Sequence, residues 1–365
     1  MDWLIEDAVV FVAGDNYNII WNTTEKGLAW VEIDGEKFYD ADNGNIKSEE
    51  RVHKVVVPQK ILDAAGEYTI VYKTTVARLP YFPQSLDAKT KTYKFYPVKK
   101  KDKINTYLIA DTHSEHRYAV KAANAHDLDF LILAGDIADK SMNLDYILTT
   151  FRVASGITHG EKPVVFARGN HDTRGEMAPD LYKYIGTDRG HTYFTFKLAN
   201  IFGFVLDCGE DKPDSNEEYG GMAAFEPFRK EQISFLDEII EKGEYKDFDH
   251  CIMVCHMRLN ESWCEKFKDT YAEWLKRINI INPEAIFAGH EHNYFIQPAG
   301  TPLFDTGLQF NAPTIVGSKC TGNYHTNHAD EEPDFTGTFI EISGDGIKST
   351  FTNSEGKIIN EKERK

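Results

Sequence analysis

Five times along this chain a short apolar run stops at a polar cluster of one chemical kind. Tyr107 to Ala110 ends in Asp111-Thr112-His113, and Phe130 to Ala134 in Gly135-Asp136-Ile137-Ala138-Asp139. Val164 to Ala167 precedes Gly169-Asn170-His171-Asp172, Cys251 to Val254 is followed after one residue by His256, and Ala285 to Ala288 by Gly289-His290-Glu291-His292. Short apolar runs bounded by Gly, Asp and Asn read as buried strands, and helix-spaced stretches lie between them at Tyr118 to Ala125, Leu144 to Val153, Glu231 to Glu241 and Tyr271 to Ile278. Strands alternating with helices predict an α/β layered fold. In an open α/β sheet the carboxyl ends of the strands line a common crevice, so the five clusters should converge.

Singly, each cluster is weak, because Gly, Asn and Asp also make ordinary turns. His290 and His292 flank Glu291 and so fall on one face of an extended segment. Five such signals in order, each at a strand end, change the reading. The side chains supplied are carboxylates, imidazoles and an amide, which are donors for divalent Mn, Fe or Zn, and no thiol is among them. The five cysteines are an odd number without a zinc-type pair of pairs, so they read as buried thiols, neither disulfides nor ligands.

With its ordered Asp-x-His, Gly-Asp, Gly-Asn-His-Asp, His and Gly-His-x-His blocks from about Thr106 to Asn293, the sequence resembles the calcineurin-like metallophosphoesterase superfamily. The resemblance implies a four-layer α/β sandwich with two metal ions at the strand ends. One ion would take Asp111, His113 and His292, the other Asn170, His256 and His290, with Asp136 bridging both. It further implies that a metal-bridging hydroxide attacks a phosphate ester, and that His171, oriented by Asp139, protonates the leaving alcohol. A small phosphorylated substrate follows, and monoesters and diesters both fit. The order of domains is also similar to purple acid phosphatases. Those enzymes, however, have Gly where this chain has His113 and a tyrosine ligand where it has Asp139, so the purple colour is not expected. Substrate contacts are expected from Arg258, two residues past a ligand, and from the polar loop containing Asn323, Tyr324 and His325.

Residues 1 to 98 read differently. Short runs at Asn18 to Trp21, Ala29 to Ile33, Val52 to Val57 and Tyr68 to Tyr72, separated by Gly and Asp/Asn turns, predict an all-β sandwich of the immunoglobulin or fibronectin kind. The basic stretch Lys99 to Lys103 is a candidate linker, placing the catalytic domain at 104–365. With 58 Asp+Glu against 41 Lys+Arg, the formal charge of -17 disfavours nucleic acid as a bulk partner. No basic leader and no run of about 18 apolar residues is present, which predicts a cytoplasmic protein with no membrane partner. Two other classes compete with the hydrolase: a catalytically weak binding or scaffold protein on the same fold, and a cell-surface module. The complete donor set together with His171 favours the enzyme.

Overall fold

The computed structural model describes residues 2–323, 326 and 328–359. Two β-sheets face each other, and helices cover the outer face of each. In the first sheet, Lys103–Ile109, Phe130–Leu133 and Pro163–Phe166 run parallel, with Asp334–Ser343 antiparallel on the far side of Lys103–Ile109. In the second, Ile201–Val205, His250–Val254, Ala285–Ala288 and Thr314–Gly317 run parallel, edged by the antiparallel strands Phe194–Leu198 and Tyr294–Gln297.

Side-chain alternation assigns the layers. Ile104 and Leu108 point into the core between the sheets, where they meet Ile252, Val254 and Phe287. Tyr107 and Ile109 point the other way, into a second core beneath helices Arg117–Ala123 and Leu144–Thr158. On the opposite flank, Met253 and Ile286 meet Leu236, Ile239, Trp274 and Leu275 of helices Phe225–Lys242 and Lys268–Ile281. The parallel strands are buried on both faces, which is why their sequences are continuous apolar runs without alternation.

The N-terminal hundred residues are rich in strands, and apart from the short pair Ala41–Asp42 and Asn45–Ile46 these strands join the first sheet. Val9–Ala13, a run of five residues all buried, pairs in parallel with Pro163–Phe166 and so extends the first sheet. The 18-residue strand Asn16–Ile33 pairs with it through Val9↔Ile20 to Ala13↔Asn16, then continues outward to pair with Glu67–Ala77. A register shift between Asn22 and Gly27 lets that long strand bend. Tyr17, Trp21, Val31, Val55 and Tyr72 belong to the same apolar cluster as the residues between the two sheets. Further ties cross the expected linker: Tyr68 Oη donates to Gly160 O at 2.8 Å, Tyr96 N to Glu161 O at 2.8 Å and Gln59 Nε2 to Lys197 O at 2.7 Å. The physical reason for the difference from a free-standing sandwich is the edge of Pro163–Phe166. A buried parallel strand cannot leave its amides unpaired, and Val9–Ala13 satisfies them.

Candidate metal centre

Each donor sits where a strand ends, and the chain there is bent against its preference. Asp111, His113, Asp136, His290 and His292 all have positive φ, between 44° and 71°. Non-glycine residues in this region carry a cost that surrounding structure must hold in place, and such residues cluster at functional sites. The glycines of the motifs make room for the turns. A Cβ on Gly169 would lie 2.2 Å from Asp136 Oδ1, and one on Gly135 would lie 2.6 Å from both Gly169 Cα and His256 Nδ1.

Hydrogen bonds lock the loops to one another. Asp172 Oδ2 accepts from the backbone N–H of Asp136 at 3.1 Å and of Gly169 at 2.9 Å, joining two motifs through a side chain that is not itself turned to the cluster. Asp136 Oδ1 accepts from His171 N at 2.8 Å, and Asp111 Oδ2 from His290 N at 2.8 Å. His256 Nδ1–H donates to Ala134 O at 2.6 Å, which fixes the ring and turns Nε2 inward, as for a metal-binding imidazole.

Three donor groups result among the described residues: His113, Asp139 and His171 form one that shares His113 with its neighbour, and the other two contain the Asp and His ligands that the resemblance implies. In the first of these two, Asp111, His113 and His292 converge, with His113 Nε2 and His292 Nε2 3.2 Å apart. Two nitrogens at about 2.1 Å from one cation would stand at roughly this spacing. Asp111 Oδ1 is buried and accepts no hydrogen bond from the described residues, so a carboxylate oxygen is left for a cation to satisfy. In the second, Asp136, His256 and His290 converge, and Asn170 Oδ1 lies 3.0 Å from His256 Nε2 and 3.1 Å from His290 Nδ1. His256 Nε2 is also 3.2 Å from Asp136 Oδ2. Lone pairs this close need a donor or a cation among them: a proton on His256, the Asn170 amide turned so that its nitrogen faces them and its oxygen accepts from Arg174 at 2.9 Å, or a cation toward which the amide oxygen turns. The groups adjoin, since Asp111 Oδ1 is 3.9 Å from His256 Nε2.

The electrostatics agree with this reading. Burial pushes His290 and His292 down to about 3, and neighbouring imidazoles add to the effect, so both keep a free lone pair at neutral pH. Burial raises Asp111 to about 6. Burial also opposes charge on Asp136 and His256, but their mutual attraction outweighs it, holding Asp136 well below the carboxylate range and pushing His256 up to about 10.

His171 stands at the edge of this cluster and is partly exposed. Its Nδ1 is 2.9 Å from the backbone oxygen of Asp139, whereas the Asp139 carboxylate is 3.7 Å from Nδ1 and 3.6 Å from His113 Nδ1. Asp139 thus holds His171 by its peptide oxygen, and its carboxylate sits between two imidazoles. Burial works against protonation of His171 but is outweighed by Asp139 and Asp136, so its pKa is raised.

Of the expected substrate residues, Arg258 is engaged elsewhere. It pairs with Glu291, donates to Asn260 Oδ1 at 2.9 Å and Gln297 Oε1 at 2.8 Å, and stacks on Phe295. Asn323 is buried, with Nδ2 donating to Thr112 O at 3.0 Å, so it braces the loop of the first motif. Tyr324 and His325 lie outside the described residues.

The arginine beside the cluster is Arg174, which sequence reasoning passed over. Its Nη1 is 3.0 Å from His171 Nε2, and Glu210, itself buried, grips the guanidinium through Oε1 at 2.7 Å and Oε2 at 2.8 Å. The available signal was its position three residues after His171. All five cysteines are buried and free, in keeping with their reading as thiols. Among the described residues no helix is long and apolar enough to cross a membrane.

A family model described as calcineurin-like phosphoesterase matches residues 104–294. Among solved structures, purple acid phosphatase PPD1 from yellow lupin (Lupinus luteus) seeds aligns with a TM-score of 0.62 at 10% identity, covering 98% of this chain and 74% of that one. A structure of PhoD aligns with a TM-score of 0.50 at 11% identity, covering 94% and 91%. No curated protein matches the sequence at a significant level.

Proposed function

Because the chain belongs to the calcineurin-like phosphoesterases, we propose that it hydrolyses a small phosphate ester at the junction of two of the donor groups, with two divalent cations bound. The observation that carries this reading is the convergence of Asp111, His113 and His292 beside Asp136, His256 and His290. In the proposed division, the first three would hold one cation and Asn170, His256 and His290 the other, with Asp136 available to both. Such cations, in Mn, Fe or Zn form, would polarise the phosphoryl group and acidify a water.

The chain's own groups supply the rest. Arg174 is pre-set by Glu210 to donate to a phosphoryl oxygen, since a guanidinium held in a bidentate pair loses little further freedom on binding. When substrate accepts from Arg174, Nε2 of His171 is released from its present neighbour. Nε2 then takes up a proton from solvent, in line with the raised pKa of the imidazole, and His171 donates it to the departing oxygen while Asp139 O keeps Nδ1–H in place. The bond from phosphorus to the alcohol oxygen breaks, that oxygen keeps the electron pair and gains the proton from His171, and the oxygen of water bonds to phosphorus after losing one proton to solvent. The strands of residues 1–98 are proposed to act as part of the scaffold, with no catalytic group of their own.

The test is turnover of a nitrophenyl phosphate monoester and its diester by chelator-treated protein, before and after adding Mn²⁺ or Zn²⁺. Activity should depend on metal and fall sharply in Asp136→Asn. Full activity in metal-free protein would end the proposal.

A further inference from the structure

Beyond Arg174 the surface sinks into a cavity of about 630 Å³ lined by none of the donor residues. Arg174 and Thr173 line it, and Arg174 Nη1 is 3.0 Å from His171 Nε2, so the guanidinium connects the cavity to the imidazole edge opposite Nδ1. That is the side to which the alcohol would depart.

The wall across from Arg174 is aromatic. Phe225 and Phe228, at the start of helix Phe225–Lys242, are half-buried, and the guanidinium of Arg168 lies 5.8 Å and 5.5 Å from their ring centres. Ala178, Pro179 and Ala223 complete an apolar lining. Its cations are already matched: Arg168 pairs with buried Asp207 at 2.7 Å, and Arg174 with Glu210 and Asp211. Glu176 and Glu218 also line the cavity, and only Glu218 has a lysine partner, Lys212. Of the residues that line the cavity, Glu176, Glu210 and Glu218 are acidic and Arg168 and Arg174 are cationic, so an anionic guest would meet a surplus of negative charge.

We infer that this cavity receives the released alcohol and selects an uncharged one with an aromatic body. The inference rests on His171 acting as proton donor to that alcohol. The half-buried ring faces of Phe225 and Phe228 favour a flat partner, since offset aromatic pairs gain beyond the area they bury. A leaving group carrying a second phosphate or a carboxylate is disfavoured by the surplus of acid.

The experiment has a binding arm and a turnover arm, both on the full-length metal-loaded protein. In the first, fluorescence titration compares 2-naphthol with its 6-sulfonate, the same ring made anionic. The neutral ring should bind at least about tenfold more tightly, and Phe228→Ala should lose about tenfold of that affinity. Ala223→Trp, which fills the cavity without removing a wall, should lose as much and guards against a folding defect in the first variant. Equal affinity for the two probes, or no effect of either variant, overturns the assignment. In the second arm, 2-naphthyl phosphate should exceed phenyl phosphate in kcat/KM, chiefly through KM, and both variants should erase the ratio. Hydrolysis of both esters at equal kcat/KM would remove the cavity's role and leave the phosphoesterase reading intact. Ring binding without hydrolysis of either ester would sink the phosphoesterase reading and the leaving-group role together.

Discussion

Loading metal onto the second donor group should expel a proton, and the structure says which one. In metal-free protein the imidazolium of His256 is disfavoured by burial but favoured more strongly by Asp136 and Asp111, which push it up to about 10. Because Nδ1 donates to Ala134 O, the proton that must leave for a cation to bind is the one on Nε2, which faces Asp136 Oδ2. At about pH 7.5 this nitrogen is almost fully protonated, and freeing it costs roughly 3 kcal/mol. His290 and His292, at about 3, and Asp111, at about 6, add almost nothing at that pH. A group whose pKa is raised in the metal-free state keeps its proton at every pH below that value, so cation and proton compete throughout. The apparent affinity of this group should therefore rise about tenfold per pH unit between roughly 6.5 and 8.5, with about one proton released. Titration calorimetry with Mn²⁺ in buffers of different ionisation enthalpy reads that count as a slope. His256→Ala should lower the count by about one. A slope near zero at pH 7.5, or one unchanged in the variant, would refute the assignment of His256 Nε2 as a donor.

Phe11→Ala should test whether the N-terminal strands belong to the catalytic unit. Phe11 is fully buried and packs edge-on against Phe166 at 6.2 Å, so the loss should be about 3–5 kcal/mol and lower a single melting transition by roughly 5 °C. A chain beginning at Lys103, which the linker reading treats as self-sufficient, should show no cooperative transition; a soluble, cooperatively folding product would contradict the shared core. His171→Ala should leave metal content unchanged while slowing alkyl ester turnover about a hundredfold, with a smaller loss for nitrophenyl esters. Equal losses for both esters would remove His171 from proton donation. Arg174→Ala should reduce kcat/KM about tenfold or more, and Glu210→Gln should lose part of that by loosening the clamp. Steady-state kinetics would count against the clamp if Glu210→Gln were silent.

The donor set was legible because its signals are local. Asp111, Asp136, His256 and His290 each stand within two residues, and Asn170 within three, of an apolar run short enough to be a buried strand, and their chemistry is written in the residue types. Val9–Ala13 carried the same kind of signal, a continuous apolar run, yet it lies far from the strand it joins and gives no sign of its partner. Arg174 was hidden for a related reason. Its value comes from Glu210, 36 residues away, whereas the nearer-looking Arg258 is consumed by Glu291, Asn260 and Gln297.

By itself, then, the sequence pointed to side chains at the strand ends of types that ligate divalent metals, since alternation and residue chemistry record which face of an element is buried and what its end presents. Only the tertiary structure decided that Asp139 holds His171 through its peptide oxygen, that Arg174 is the guanidinium beside it, and that the chain's first strand completes the catalytic sheet. Each of those depends on which distant surface an element packs against. An apolar run requires a partner without specifying it, and the choice is made by the packing of the whole chain.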